Sequence, residues 1–241
     1  MTARPAFYAL EPGGWRDYWT LLHPPYTIWH LSYVAIGAAI APDFRLTRLA
    51  WALGAFFLAM GIAAHALDEL HGRPLGTRIP ATVLWTLAAA GLAGAAAIGV
   101  GAALAWGLGL LAFVPVGAGL VVAYNLELAG GRFHTDLWFA LAWGGFPALA
   151  GYFVEAQTLG AAAVLAAVFA TLLSLAQRLL STPVRQLRRA TVSVAGTVER
   201  ADGTSERLTA AALAAAPERA LRALWPATAA LAAALVVVRV T

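Results

Sequence analysis

The sequence predicts an all-α integral membrane protein of about seven transmembrane helices, with a small extramembrane β-hairpin between helices six and seven. Three observations carry this reading. Of 241 residues, 61% are hydrophobic and 12% charged, and the mean hydropathy of +0.74 is too high for a soluble domain. The apolar residues fall into blocks of span length, separated by short stretches where proline, glycine and charge collect. The one long polar stretch, 181–219, holds the alternating run TVSVAGTVER before Asp202-Gly203, a strong signal for a two-residue hairpin loop. Cysteine is absent, so neither disulfides nor thiolate metal sites are available. All sixteen basic residues are arginine, and they sit between spans; the formal charge of +4 therefore answers to topology and implies no nucleic-acid partner.

Residues 1–23 are mixed and aromatic, with Tyr8, Trp15, Tyr18 and Trp19 spaced as in an amphipathic segment at the headgroup level. The opening MTARPAFYALEPGG lacks the apolar core of a cleavable signal, so the first span is expected to direct insertion. After Pro24-Pro25, span one runs from about Tyr26 to Ala41 and stops at Pro42 and Asp43. Span two covers about Thr47 to Leu67, and Gly72, Pro74, Gly76 and Pro80 make the following loop irregular. Span three, about Thr82 to Val100, is rich in Ala and Gly and suits close helix contact. Span four follows from about Leu104 to Ala123. In span five, about Leu137 to Val154, Gly144-Gly145 and Pro147 would kink the helix or admit a neighbour. Span six runs from about Leu159 to Leu180, and a short helix over Ala210 to Leu224 leads into span seven, about Trp225 to Val240. The chain thus divides into an interfacial segment (1–23), a six-helix bundle (24–180), a loop with the hairpin (181–219) and a C-terminal helix (220–241). With seven spans, thirteen arginines fall on one side and three on the other. The positive-inside rule then puts the N-terminus in the cytoplasm and the C-terminus outside a cell membrane.

Two polar clusters interrupt the apolar pattern. In HALDELHGRPLGTRIP, at the end of span two, His65, Asp68 and Glu69 stand at i, i+3 and i+4 on one helix face. A charge at membrane depth costs about 2.5–3.5 kcal/mol on insertion scales, and it persists where it lines a cavity or meets an ion or substrate. The second cluster, YNLELAGGRFHTD, brings Tyr124, Asn125, Glu127, Arg132, His134 and Asp136 to the same side. Carboxylates and arginines at one mouth suit an amphiphile with an anionic head and an apolar tail. Carboxylates can hold Mg²⁺ against a diphosphate, and arginines such as Arg73 or Arg132 can contact phosphate oxygens directly. An allylic cation left by diphosphate loss would meet the aromatic faces of Tyr124, Trp143 or Trp29.

Between about residues 18 and 180 the chain resembles the UbiA superfamily of intramembrane prenyltransferases. HPPYTIWHLSYVAIGAAIAP is similar to that family's first helix, AAHALDELHGRPLGTRIP to its first aspartate-rich loop, and YNLELAGGRFHTDLWFALAWGGFPALAGYF to its fourth-to-fifth helix passage. The family's Asn/Asp-Asp-x-x-Asp-x-x-x-Asp pattern falls on Ala64, His65, Asp68 and Gly72, of which Asp68 alone matches, with Arg78-Ile79-Pro80 near the family's Arg-Pro element. The second aspartate motif would fall near QRLLSTPVRQLRR, which holds no acid, and members usually have nine helices.

The resemblance implies an isoprenoid diphosphate and a lipophilic acceptor, joined or cyclised through an allylic cation. Asp68 would hold Mg²⁺ with help from Glu69. Glu127, Asp136 and His65 are further candidate ligands, and Tyr124 a candidate catalytic aromatic. Arg73 and Arg78 would position phosphate, with Asn125, Arg132, Arg178 and Arg185 completing the binding set. Arg178, Arg185, Arg188 and Arg189 would alternatively do electrostatically what a second metal does in the family, or simply mark the inside face. A divergent non-catalytic lipid-binding protein or partner subunit is the alternative. A third reading makes His65, Asp68, His71 and His134, with Glu127 as a further candidate ligand, a transition-metal site for lipid oxidation. His23 and His30, seven apart on span one, are set aside as a haem pair. A reporter fused after Asp202 should score on the cytoplasmic side; an external score in a topology assay would reverse the assignment.

Overall fold

The computed structural model describes residues 4–241, so the first three residues of the expected interfacial segment lie outside the described residues. Its elements are α1 (Trp15–Leu21), α2 (Pro24–Ala39), α3 (Leu46–Leu70), α4 (Ala81–Trp106), α5 (Leu108–Asn125), α6 (Asp136–Ala156), α7 (Ala161–Arg189), β1 (Thr197–Glu199), β2 (Ser205–Arg207) and α8 (Ala210–Val240). Helices α3 to α8 are six helices long and apolar enough to cross a membrane. Helix α2 has only 16 residues and completes the seven-helix bundle from its centre.

The position of α2 follows from what covers it. Trp29, Tyr33 and Val34 are fully buried, and the helix packs on α6, α8 and α3. Backbones meet where glycine removes the side chain: Gly37 lies against the Ala148 carbonyl of α6, and Gly151 of α6 against the Val34 carbonyl. Gly144 sits in the same way on the Ala170 carbonyl of α7, so the Gly144-Gly145 pair does admit a neighbour. Two helices also widen locally. Phe57–Ala64 in α3 and Leu141–Gly145 in α6 are π-helical, a shift that interrupts the regular ladder and re-aims the residues that follow.

Four boundaries differ from the sequence reading. Helix α4 runs past Val100 to Trp106, and Gly107 at φ 157° makes the turn into α5. Helix α7 does not stop at Leu180 but runs to Arg189, because its period outlasts its hydropathy: Gln177, Ser181 and Val184 continue the buried face at i, i+4 and i+7. The short helix and span seven are one helix, α8, which passes through Pro217 and Pro226. Each internal proline costs one backbone hydrogen bond, and the Ala- and Leu-rich flanks packed on α2 and α7 carry the helix through. The hairpin is real but its loop has three residues. Gly203 N–H donates to the Arg200 carbonyl at 2.9 Å, Arg200 N–H to Thr204 O at 2.8 Å, and Gly203 takes φ 81°, the geometry of a type I turn closed by a bulge glycine.

Helix α1 is amphipathic, but Tyr8, expected at the headgroup level with Trp15, Tyr18 and Trp19, turns inward to His23. Trp15, Tyr18 and Trp19 are exposed on α1, and Asp17, Thr20 and Leu21 face inward. The Asp17 carboxylate accepts from Gly13 N–H at 3.0 Å and Arg78 N–H at 3.1 Å, which ties α1 to the loop after α3.

A Cβ placed on Gly151 would overlap the Val34 backbone, whereas one on Gly119 meets nothing within 4 Å. Gly151→Ala should therefore force α2 and α6 apart and lower stability by about 1–3 kcal/mol. Gly119→Ala should leave the tryptophan-fluorescence unfolding midpoint in detergent unchanged or slightly raised.

Candidate functional site

At the arginine-rich end of the bundle the start of α2, the ends of α3 and α5, the first turns of α6 and the last turns of α7 enclose a cavity of about 380 Å³. Each helix contributes by its period. From α7, Arg178, Arg185 and Arg189 stand at i, i+7 and i+11 on one stripe, beside Gln177. From α3, His65 and Asp68 stand one turn apart. Helix α2 contributes His30, and His23 at its mouth; α5 contributes Tyr124 and Asn125, and α6 Phe139 and Trp143. Residues 5–8, ahead of α1, close the outer wall with Tyr8 pointing in.

The wall carries more cation than anion. Asp68 is the one carboxylate among its described residues, against three guanidiniums. Arg178 is held by Asp136 at 2.8 Å and lies over the Phe139 ring, 5.3 Å from its centroid. Arg185 reaches Thr182 Oγ1 at 3.1 Å, and Arg189 donates to the Pro5 carbonyl at 3.2 Å. Such a surplus, in a partly enclosed space, favours an anionic ligand.

The imidazoles are individually fixed. His30 Nδ1 lies 2.9 Å from the Trp143 carbonyl, His65 Nδ1 3.1 Å from the Gly61 carbonyl, and His134 Nδ1 3.1 Å from the Tyr124 carbonyl. His23 stacks on His65 with ring centroids 4.2 Å apart, and its Nδ1 is 2.6 Å from the Tyr8 hydroxyl. Burial pushes the Tyr8 phenol well up and the His23 imidazole well down, the latter with help from His65 and the arginines. Both partners are thus neutral at pH 7, and the phenol donates to Nδ1. Three buried polar atoms on the wall have no partner among the described residues: His23 Nε2, the Tyr124 hydroxyl and Gln177 Oε1.

The structure gathers some of the expected site residues and disperses others. Asp68, His65, Tyr124, Asn125, Arg178 and Arg185 all face the cavity. Asn125 donates from Nδ2 to the Val121 carbonyl. Glu69, fully buried, points elsewhere: it accepts from Leu75 N–H at 2.9 Å, Thr77 N–H at 2.8 Å and the Thr77 hydroxyl at 2.8 Å, so its carboxylate shapes the loop. Arg73 likewise donates to the Ile79 carbonyl at 2.6 Å. Arg78 and Arg132 are exposed, and neither lines the cavity. Glu127 lies in the loop after α5, 3.8 Å from His134 and 3.9 Å from His71. Asp136 serves Arg178.

Of the five expected metal ligands, Asp68 and His65 face the cavity, whereas Glu69, Glu127 and Asp136 are engaged elsewhere. Among the described residues no three His, Asp or Glu side chains come together as a metal-holding group. One carboxylate amid guanidiniums does not fit a resident Mg²⁺. Sequence reasoning missed Tyr8, His23 and His30. The available signal was the pair of imidazoles seven apart in an otherwise apolar helix, which share a face with each other and, in space, with His65.

Beneath the polar cavity lies a second, apolar chamber of about 120 Å³ among α3, α4, α5 and α6. Trp143 belongs to both walls. Around it, Tyr124 lies 4.6 Å away and Phe139 stacks at 5.6 Å, so the partition between polar and apolar space is aromatic.

No protein-family model matches the sequence, and no curated protein matches it either. Among solved structures, the apo structure of a UbiA homolog from Aeropyrum pernix K1 superposes with a TM-score of 0.52 at 18% identity, covering 86% of this chain and 77% of that one. The likeness is one of fold, and it agrees with the resemblance read from residues 18–180: the bundle is UbiA-like.

The buried His23 gives a pH test. Its pKa in the fold lies well below the unfolded value of about 6.5, so below that pH the unfolded chain takes up a proton the native one refuses. Stability should fall as pH drops from about 6.5. His23→Gln should remove up to about one proton's worth of that slope, read as denaturation midpoints in detergent between pH 8 and pH 5.

Proposed function

We propose that the protein binds an isoprenoid diphosphate, with its head in the arginine-lined cavity and its tail towards the apolar chamber, and acts as an intramembrane prenyltransferase on a lipophilic acceptor. The observation that carries this is the placement of Arg178, Arg185 and Arg189 opposite Asp68, with an aromatic partition and an apolar space behind. Guanidiniums aimed at a leaving diphosphate stabilise the charge that develops as its bond to carbon breaks. Asp136 and Phe139 hold the Arg178 head in place, so that group is pre-oriented. The carbon left behind is an allylic cation next to the faces of Tyr124, Phe139 and Trp143, whose quadrupoles favour positive charge. The same cation would serve cyclisation of the donor. The arginine bias supports a mouth that opens to the cytoplasm.

A second reading, binding without turnover, draws on the single carboxylate of the wall. One assay separates the two. Purified protein in lipid is given labelled C10 to C20 prenyl diphosphates, with and without Mg²⁺, and both bound label and released diphosphate are measured. Release that Asp68→Asn abolishes supports the transferase; saturable binding with no release across acceptors supports the second reading. Arg185→Ala should weaken binding by about 1.5–3 kcal/mol, on the order of 10- to 100-fold in Kd, whereas the exposed Arg132→Ala should stay within about twofold. Equal losses at both positions, or none at either, would remove the anion site from the cavity.

A further inference from the structure

The imidazoles that line the cavity differ in which nitrogen carries the hydrogen, and their partners decide it. A backbone carbonyl only accepts, so His30 on Trp143 O and His65 on Gly61 O hold their hydrogen on Nδ1. The lone pair left on each Nε2 suits no phosphate oxygen. His23 is the reverse case. The Tyr8 hydroxyl donates to its Nδ1 at 2.6 Å, so the ring hydrogen sits on Nε2, and this N–H is buried with no acceptor among the described residues. An unmatched buried donor is costly, and the acceptor that relieves it has to come from a ligand in the cavity His23 lines.

The charged groups of the wall are donors too. Arg178 spends Nε on Asp136, Arg185 spends Nη2 on Thr182 and Arg189 spends Nε on the Pro5 carbonyl, and each guanidinium keeps its other N–H groups. Burial, then His65, Arg189 and Arg185 push the His23 imidazole down, so those two cations and the Nε2–H border one space. The Tyr124 hydroxyl, buried and without a partner among the described residues, adds an O–H. A divalent cation that bridges protein and diphosphate needs several oxygen ligands from the protein, whereas a multiply charged anion needs N–H and O–H hydrogens. Asp68 alone answers the first need; the remaining polar side chains just named answer the second.

We propose that the diphosphate head is bound without a bridging metal ion, and that His23 Nε2–H, set by the Tyr8 hydroxyl, is one of the donors that replace it. The inference rests on the prenyl-diphosphate reading and says how that head is held. When the bond from prenyl C1 to the diphosphate oxygen breaks, the electron pair stays on that oxygen, and Arg178, Arg185, Arg189 and His23 take up the added charge through hydrogen bonds. No proton is transferred: His23 keeps its hydrogen throughout. Tyr8 is a positioning residue. Without its hydroxyl the ring hydrogen is free to shift to Nδ1, which would turn Nε2 from donor into acceptor. His65, stacked on His23 with centroids 4.2 Å apart, holds the ring plane.

The test uses the full chain in lipid nanodiscs, freed of metals by chelation, and labelled geranylgeranyl S-thiolodiphosphate, an analogue that binds without losing its head. Its Kd in EDTA should lie within about threefold of its Kd in Mg²⁺. A Kd weaker in EDTA by more than that overturns the inference and leaves the prenyl-diphosphate reading intact. Asp68→Asn takes a negative charge off the wall and should tighten binding, whereas loss of a metal ligand would weaken it; weaker binding counts against the inference. His23→Leu should weaken binding by about tenfold or more, and His23→Gln, whose amide returns an N–H near the Nε2 position, should recover most of that loss. Tyr8→Phe should weaken it by about three- to tenfold and add nothing in the His23→Leu background. Nitrogen-15 spectra of histidine-labelled protein should show His23, identified by its loss in His23→Gln, as the Nε2–H form, with that form depleted in Tyr8→Phe. Thermal midpoints are read for every variant. An unchanged Kd in folded His23→Leu, additive losses at the two positions, or an Nδ1–H signal for His23 removes it from the site. No binding in either medium ends the inference and the reading beneath it together.

Discussion

Helices α2 and α6 touch backbone to backbone at two places, Gly37 on the Ala148 carbonyl and Gly151 on the Val34 carbonyl, and the rest of the bundle is arranged around that approach. Within lipid there is no hydrophobic drive between helices, so close packing and interhelical hydrogen bonds have to hold them. The glycines bring the two axes near enough for His30 of α2 to reach the Trp143 carbonyl of α6. That one bond orients an imidazole and the segment that carries the partition tryptophan. A sixteen-residue helix too short to span comfortably on its own can occupy the centre because longer neighbours cover it.

The polar cavity is a consequence of how these helices end. Both carbonyls that anchor cavity histidines within the spans, Gly61 O and Trp143 O, lie in π-helical segments, where the widened turn frees acceptors that a regular helix would engage. Charge is divided in the same economical manner. Carboxylates that could have crowded the site are spent on architecture, Glu69 on the loop amides, Asp17 on the junction with α1 and Asp136 on Arg178. Asp68 remains, facing guanidiniums that come from a single helix stripe.

Much of this was legible in the residues. The seven helices, the hairpin and the convergence of Asp68, Tyr124, Arg178 and Arg185 at one end follow from hydropathy, the Asp-Gly turn and the alternation of spans. Helix ends were less so, because hydropathy falls at Leu180 whereas the buried stripe of Gln177, Ser181 and Val184 goes on. Neighbouring residues were also hard to tell apart: Asp68 and Glu69 differ by about 100° around the helix, and sequence alone does not say which faces the hollow. Only the return of the loop, which brings Leu75 and Thr77 over Glu69, settles it. The role of Arg73 was hidden for the same reason, since its partner carbonyl at Ile79 is presented by that loop. His23 and Tyr8 required a contact across fifteen residues that fold back through the short helix α1, which no periodicity encodes.

The stretch ahead of α1 is fastened by the end of α7: Arg188, paired with Glu218, donates to the Arg4 carbonyl, and Arg189, on the cavity wall, to the Pro5 carbonyl. Only the Nε–H of Arg189 is engaged by Pro5, so one arm of the guanidinium holds the strap while the rest remains on the cavity wall. A deletion over residues 4–8 would thus take away one side of the hollow while leaving every helix in place.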